Sequence, residues 1–238
     1  MRFASSKEKI KEDFESQRGG INMEEPMTPE DNARMILEKL ILDAHKLLRE
    51  NGIKTAKLDS EILMSEVIKK DRTFMILNSH YELKKDLLIE FKNLIKLRSV
   101  GTPISYLTGK KNFWNYEFKI NNNVLIPRPD TELIIQEILK LTKNKNKLRL
   151  LDIGTGSGCI ILTLVKELKG FSGIGIDISK KCIDLAKINR NELNLKNKVK
   201  FLKSDIDNFN YGKYDLIISN PPYIKKLNLR YLEKDVIN

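Results

Sequence analysis

The chain has 238 residues, two cysteines and a formal net charge of +11. That length accommodates one sizeable domain and a smaller companion; no run reaches the roughly 18 apolar residues of a membrane span, and the charged N-terminus lacks the apolar stretch of a signal peptide. Cys159 and Cys182 form neither a CxxC pair nor a disulfide framework, so a reducing cytoplasm is the expected setting.

The charge is unevenly spread, with six basic against eight acidic residues in 1–34 and 37 against 24 in 35–238. A basic body fits a polyanionic setting, and it fits a Lys/Asn-rich composition equally well. Residues 1–34 are polar, carry Gly19-Gly20, Pro26 and Pro29, and read as a loosely ordered tail.

Residues 35–108 follow a helical period. "ARMILEKLILDAHKLLREN" places Met35, Leu37, Leu40, Ile41, Ala44, Leu47 and Leu48 on one face, with Asn51-Gly52 as a stop. "LDSEILMSEVIKK" predicts a second helix, with Asp59 or Ser60 as its N-cap. "KKDLLIEFKNLIKLRS" predicts another, apolar at Leu87, Leu88, Phe91, Leu94, Ile95 and Leu97, before Gly101 and Pro103 end the period. Three or four such helices make a small all-α bundle.

Residues 109–126 are rich in aromatics and asparagine and predict a β-hairpin or extended connector. In 127–238 a helix begins near Asp130, which is predicted to cap it, with Glu132 adding charge to its first turn. From Leu148 short apolar strands alternate with helices, four strands in all. That rhythm predicts a parallel, doubly wound α/β sheet.

Two stretches in this half carry chemistry. "LLDIGTGSGC" ends a strand on Gly154, Gly156 and Gly158 before a helix, where backbone can approach a ligand. The dinucleotide spacing would need glycine at position 159, which is Cys159; the G-x-G-x-G form suits S-adenosylmethionine, or a purely structural turn. Asp177 closes the next strand, where a carboxylate accepts both hydroxyls of a ribose. Asp205 closes the third and can accept a bond from an adenine amino group. A calcium loop at Asp205 and Asp207 fails because Phe209 holds the next ligand position.

The second stretch is "NPPY", residues 220–223, after the fourth strand. Proline cannot donate and pushes its predecessor out of helical space, so the Asn220 side-chain carbonyl and the Pro221 carbonyl can together hold both hydrogens of a planar –NH2. Tyr223 can stack on the same group. A plain strand-ending proline turn is the alternative. His45 and His80 are the only histidines, which argues against a catalytic triad or a histidine metal cluster.

Taken in order, "PISYLTG" (103–109), "VLIPRPDTE" (124–132), "LLDIGTGSG" (150–158) and "SNPPYI" (219–224) resemble the HemK-type peptide-chain-release-factor glutamine N5-methyltransferases over residues 35–238. The resemblance implies a Rossmann-like S-adenosylmethionine-dependent domain behind a helical bundle that docks the release factor. It implies methyl transfer to the side-chain amide of the glutamine in the Gly-Gly-Gln motif. By position, Gly154, Thr155, Gly156, Ser157, Gly158 and Asp177 would bind S-adenosylmethionine, with Asp205 and Ile206 bordering the adenine. The family is commonly aromatic where this chain has Ile206. Asn220 and Pro221 would grip the amide, with Pro222 and Tyr223 lining the pocket. A cytoplasmic monomer with no metal, membrane or direct nucleic-acid contact is implied.

"NPPY" is shared with nucleic-acid amino-methyltransferases, so that activity stays open, as does a chain that only binds release factor. Residues 1–34 match nothing in the family, which also continues past the equivalent of Asn238 through further strands. A C-terminally truncated sheet is therefore expected.

Overall fold

The computed structural model describes residues 36–221, which divide into two compact units, 36–108 and 109–221. Met35, the 1–34 segment, Pro222 and Tyr223 lie outside the described residues.

The first unit is helical: α1 (Leu37–Glu50), α2 (Ala56–Ile68), the short α3 (Arg72–Leu77), α4 (Lys85–Ser99) and α5 (Ile104–Thr108). Helix α1 buries Leu37, Leu40, Ala44 and Leu48 at the i, i+3, i+4 spacing of one face. Leu47, assigned to that face, is exposed, because its position falls off the edge of the stripe. Asn51 caps α1 and Gly52 follows with φ +78°, the left-handed turn that ends helices. Helix α4 does end at Ser99 ahead of Gly101, which takes φ +101°, but Pro103 does not stop helix formation, since the short α5 starts immediately after it.

Asp59 and Ser60 do not cap α2 either. The helix starts three residues earlier at Ala56, and both side chains are buried within it. Asp59 Oδ2 accepts from Arg98 Nε of α4 at 2.7 Å and from Thr55 Oγ1 at 2.8 Å. Arg98 Nη1 also donates to the Thr102 carbonyl at 3.1 Å, so this buried ion pair joins α2, α4 and the turn before α5. Leu63, Met64, Phe91 and Ile95 complete the core around it.

The second unit opens with an antiparallel hairpin, β1 (Lys110–Phe113) and β2 (Tyr116–Lys119). Trp114 takes φ +55° in its turn. A 3₁₀ turn (Pro129–Thr131) leads into α6 (Glu132–Leu141). Asp130 lies exposed inside this turn and makes no cap, whereas Glu132 Oε1 accepts from the Trp114 backbone N–H at 2.8 Å and ties α6 to the hairpin. Glu167 holds the same hairpin, accepting from Trp114 Nε1 at 3.0 Å and from the Tyr116 hydroxyl at 2.8 Å.

Then come β3 (Arg149–Ile153), α7 (Cys159–Glu167), β4 (Ser172–Asp177), α8 (Lys180–Glu192), β5 (Val199–Lys203) and β6 (Leu216–Ser219). All four strands run parallel in the order β5-β4-β3-β6. Helix α7 is buried from Cys159 through Val165, a run that is apolar except for Thr163. Strand β6 is less buried than its sequence implies. It is the edge of the sheet among the described residues, with Ile218 inside and Ile217 exposed.

Candidate active site

Strand order reverses at β3, whose neighbours β4 and β6 lead away in opposite directions. Open parallel sheets hold ligands at the carboxyl ends of the strands flanking such a point. The glycine loop follows β3, Asp177 ends β4, Asp205 lies two residues past β5, and Asn220 directly follows β6. The topology therefore brings the glycine loop, Asp177, Asp205 and Asn220 to one edge of the sheet.

The glycine loop is fixed by backbone bonds. Gly154 and Thr155 N–H both donate to the Ile176 carbonyl of β4, at 2.9 and 3.0 Å, and Gly158 N–H donates to the Thr155 carbonyl at 2.8 Å. Gly154 and Gly156 have φ +70° and +55°, and a Cβ on either would meet nothing within 4 Å. Their glycine character keeps a left-handed backbone with a bare face that a ligand can approach. Gly158 serves packing: a Cβ there would come within 2.9 Å of the Phe201 ring.

Asp177 braces the loop it faces. Its Oδ2 accepts from Gly156 N–H at 3.0 Å and its Oδ1 from Ser179 N–H at 2.9 Å. A carboxylate offers about four acceptor positions, so two remain for a diol. Asp205 is exposed, its Oδ1 accepting from Asp207 N–H at 3.2 Å, and Ile206 beside it is also exposed. Ile178, 70 % exposed at the end of β4, is a second apolar side chain on this edge that sequence reasoning missed. Its signal was its place immediately after Asp177. Bare loop, half-buried carboxylate and exposed aliphatics fit a ligand with a ribose and a flat apolar base.

Two further residues support the loop and were not foreseen. Asp152 of β3 is buried beneath it, its Oδ2 accepting from Thr155 Oγ1 at 2.6 Å. Burial first, then the nearby Asp177 charge, push its carboxyl up to about 7 against the lowering effect of the Thr155 and Ile161 hydrogen bonds. Asn189 of α8 is 1 % exposed. Its Nδ2 donates to the Ser157 carbonyl at 2.9 Å and to the Lys119 carbonyl at 3.1 Å, and its Oδ1 accepts from Lys119 N–H at 2.7 Å. One side chain thus couples the glycine loop to the hairpin.

Asn220 is half-buried and Pro221 exposed at the end of β6. The Asn220 amide nitrogen donates to Thr131 Oγ1 at 3.1 Å. Pro222 and Tyr223 fall outside the described residues. A surface hollow of about 450 Å³ lies in the helical unit, lined by His45, Arg49, Gly52, Ile53, Lys54, Ala56 and Lys57. It contains none of the strand-end residues, and the placement of chemistry at the sheet edge is the stronger guide.

Comparison with known proteins follows the same division. Residues 39–109 match the PrmC N-terminal domain, and residues 144–238 match a methyltransferase domain. A release factor glutamine methyltransferase of Clostridium acetobutylicum is 37% identical over 205 residues, 85% of this chain and 72% of that protein. One from Buchnera aphidicola subsp. Schizaphis graminum is 41% identical over 180 residues, 76% of this chain and 65% of that protein. The chain thus spans about two thirds of the length of such relatives. A solved SAM-dependent methyltransferase from Thiobacillus denitrificans, in complex with S-adenosyl-L-homocysteine, is 27% identical, with a TM-score of 0.33 over 39% of this chain and 36% of that one. With a helical N-terminal unit, a Rossmann-like methyltransferase domain and 37% identity across 72% of a curated member, the chain belongs to the release factor glutamine methyltransferase family.

Proposed function

We propose that the chain transfers a methyl group from S-adenosylmethionine to the side-chain amide nitrogen of a glutamine, in the Gly-Gly-Gln motif of a peptide chain release factor. The observation that carries this reading is the convergence of the bare glycine loop, Asp177 and Asn220 on one sheet edge either side of β3.

Gly154–Gly158 would take the amino-acid end of S-adenosylmethionine along the loop backbone, Asp177 the ribose hydroxyls, and Asp205 with Ile206 the adenine. When bound, this co-substrate supplies an electrophilic methyl on a sulfonium. The chain's own task is to present a nitrogen to it. An amide nitrogen is a weak nucleophile because its lone pair is shared with the carbonyl. Asn220 Oδ1 and the Pro221 carbonyl accept its two hydrogens and hold it in line, a contact that strengthens as the nitrogen pyramidalises. Tyr223 and Pro222 would line the same pocket.

The helical unit would dock the release factor, and the compartment would be the cytoplasm, where release factors act. Among the described residues, no helix is long and apolar enough to cross a membrane. The test is methyl transfer from radiolabelled S-adenosylmethionine to purified release factor, DNA and ribosomal RNA in parallel. Label on the release factor glutamine alone supports the proposal; label on nucleic acid alone overturns it in favour of an amino-methyltransferase of bases.

A further inference from the structure

We propose that Thr131 is a positioning residue for the transfer, acting through Asn220. This inference rests on the reading of Asn220 as the acceptor of the substrate –NH2. Thr131 is 89 residues away in sequence and only 7 % exposed, yet its Oγ1 accepts from the Asn220 amide nitrogen at 3.1 Å.

An asparagine amide is nearly symmetric in shape and opposite in chemistry at its two ends. A substrate –NH2 offers only donors to Asn220, so the productive arrangement turns Oδ1 toward it and Nδ2 away. The end turned away then needs an acceptor. Once substrate covers the site, an unpartnered N–H there loses its water and destabilises the very arrangement that catalysis uses. Thr131 supplies that acceptor.

The acceptor is itself held firmly. Thr131 closes the 3₁₀ turn Pro129–Thr131, where proline fixes the first φ and the Thr131 N–H donates to the Arg128 carbonyl at 3.0 Å. The turn leads straight into α6, which is anchored to the hairpin through Glu132. A rigid turn from before the sheet thus sets a side chain at the sheet's last described strand.

The test is steady-state kinetics on release factor with Thr131→Val, Thr131→Ser, Asn220→Ala and the Thr131→Val/Asn220→Ala double variant, alongside calorimetry with S-adenosylhomocysteine. Thr131→Val is expected to lower kcat by about 10-fold or more, the scale of a lost buried hydrogen-bond partner, with little change in S-adenosylhomocysteine affinity. Thr131→Ser keeps the oxygen and should stay close to wild type. On the Asn220→Ala background, Thr131→Val should add almost nothing, because the residue it acts through is gone. Should the valine variant melt below the assay temperature, Thr131→Ala carries the same comparison. A normal kcat for the hydroxyl-deleted variants beside an impaired Asn220→Ala, or full additivity in the double variant, overturns the role of Thr131 alone. A normal kcat for Asn220→Ala overturns the underlying reading instead.

Discussion

The backbone N–H of Gly156 donates to the Asp177 carboxylate at 3.0 Å, so the second glycine of the loop and the acid that ends the next strand form one unit. Asp177 therefore shapes the loop, and under the proposed function it would also receive a diol. Asp177→Ala removes both, and should weaken S-adenosylhomocysteine binding by about 10- to 100-fold, the scale of a lost charged hydrogen bond. Asp177→Asn, which keeps one acceptor, should fall between. Equal affinity of wild type and Asp177→Ala in calorimetry would contradict both tasks.

Asn189 joins Ser157 of the loop to Lys119 of the hairpin through three hydrogen bonds from a buried amide. Asn189→Ala strands three backbone partners inside the unit. Its denaturant midpoint should drop by the equivalent of about 2–4 kcal/mol, and cofactor affinity should fall with it as the loop loosens. Unchanged unfolding would show that water replaces the amide at no cost.

The strands and the glycine loop were legible because both obey local rules: short apolar runs bounded by turns, and glycines where backbone must bend left-handed. The supporting residues were not. Asn189 stands in "KINRNELNL" beside Asn191 and Asn194, and nothing local marks which asparagine turns inward. Asp59 looked like a cap because acids favour helix starts, but its partner Arg98 is 39 residues away and the buried pairing won. Asp130 misled for a different reason, since the 3₁₀ turn Pro129–Thr131 precedes α6 and leaves Asp130 two residues short of the helix start at Glu132. Long-range pairing of polar side chains has no period to read.

The Asp59–Arg98 pair gives a stability test within the helical unit. Breaking a buried pair leaves an uncompensated charge, so Arg98→Leu should destabilise by about 3–5 kcal/mol. Asp59→Leu/Arg98→Leu should recover much of that loss, because no charge is then buried alone. A double variant no better than the worse single variant in urea unfolding would contradict this.

Asp152 gives a pH test. Its folded value of about 7 lies above its ordinary 3.8, so the folded state favours the protonated carboxyl. The stability this contributes is fully present below about pH 4, and is lost as pH rises through about 7. Asp152→Asn should remove that slope, and its stability relative to wild type should climb across this range by a few kcal/mol at most, since each tenfold change in proton affinity is worth about 1.4 kcal/mol. Parallel profiles for the two proteins would show that Asp152 stays ionised in the fold.

The central claim is that Asn220 presents the glutamine nitrogen for methylation, and single-turnover methyl transfer to release factor by Asn220→Ala tests it most directly. A preorganised contact that tightens in the transition state appears in kcat more than in KM. The variant should therefore lose about 10²-fold in the rate of transfer, with S-adenosylhomocysteine affinity and melting temperature near wild type. A folded Asn220→Ala protein that binds S-adenosylhomocysteine normally and still methylates release factor at close to the wild-type rate would contradict the account.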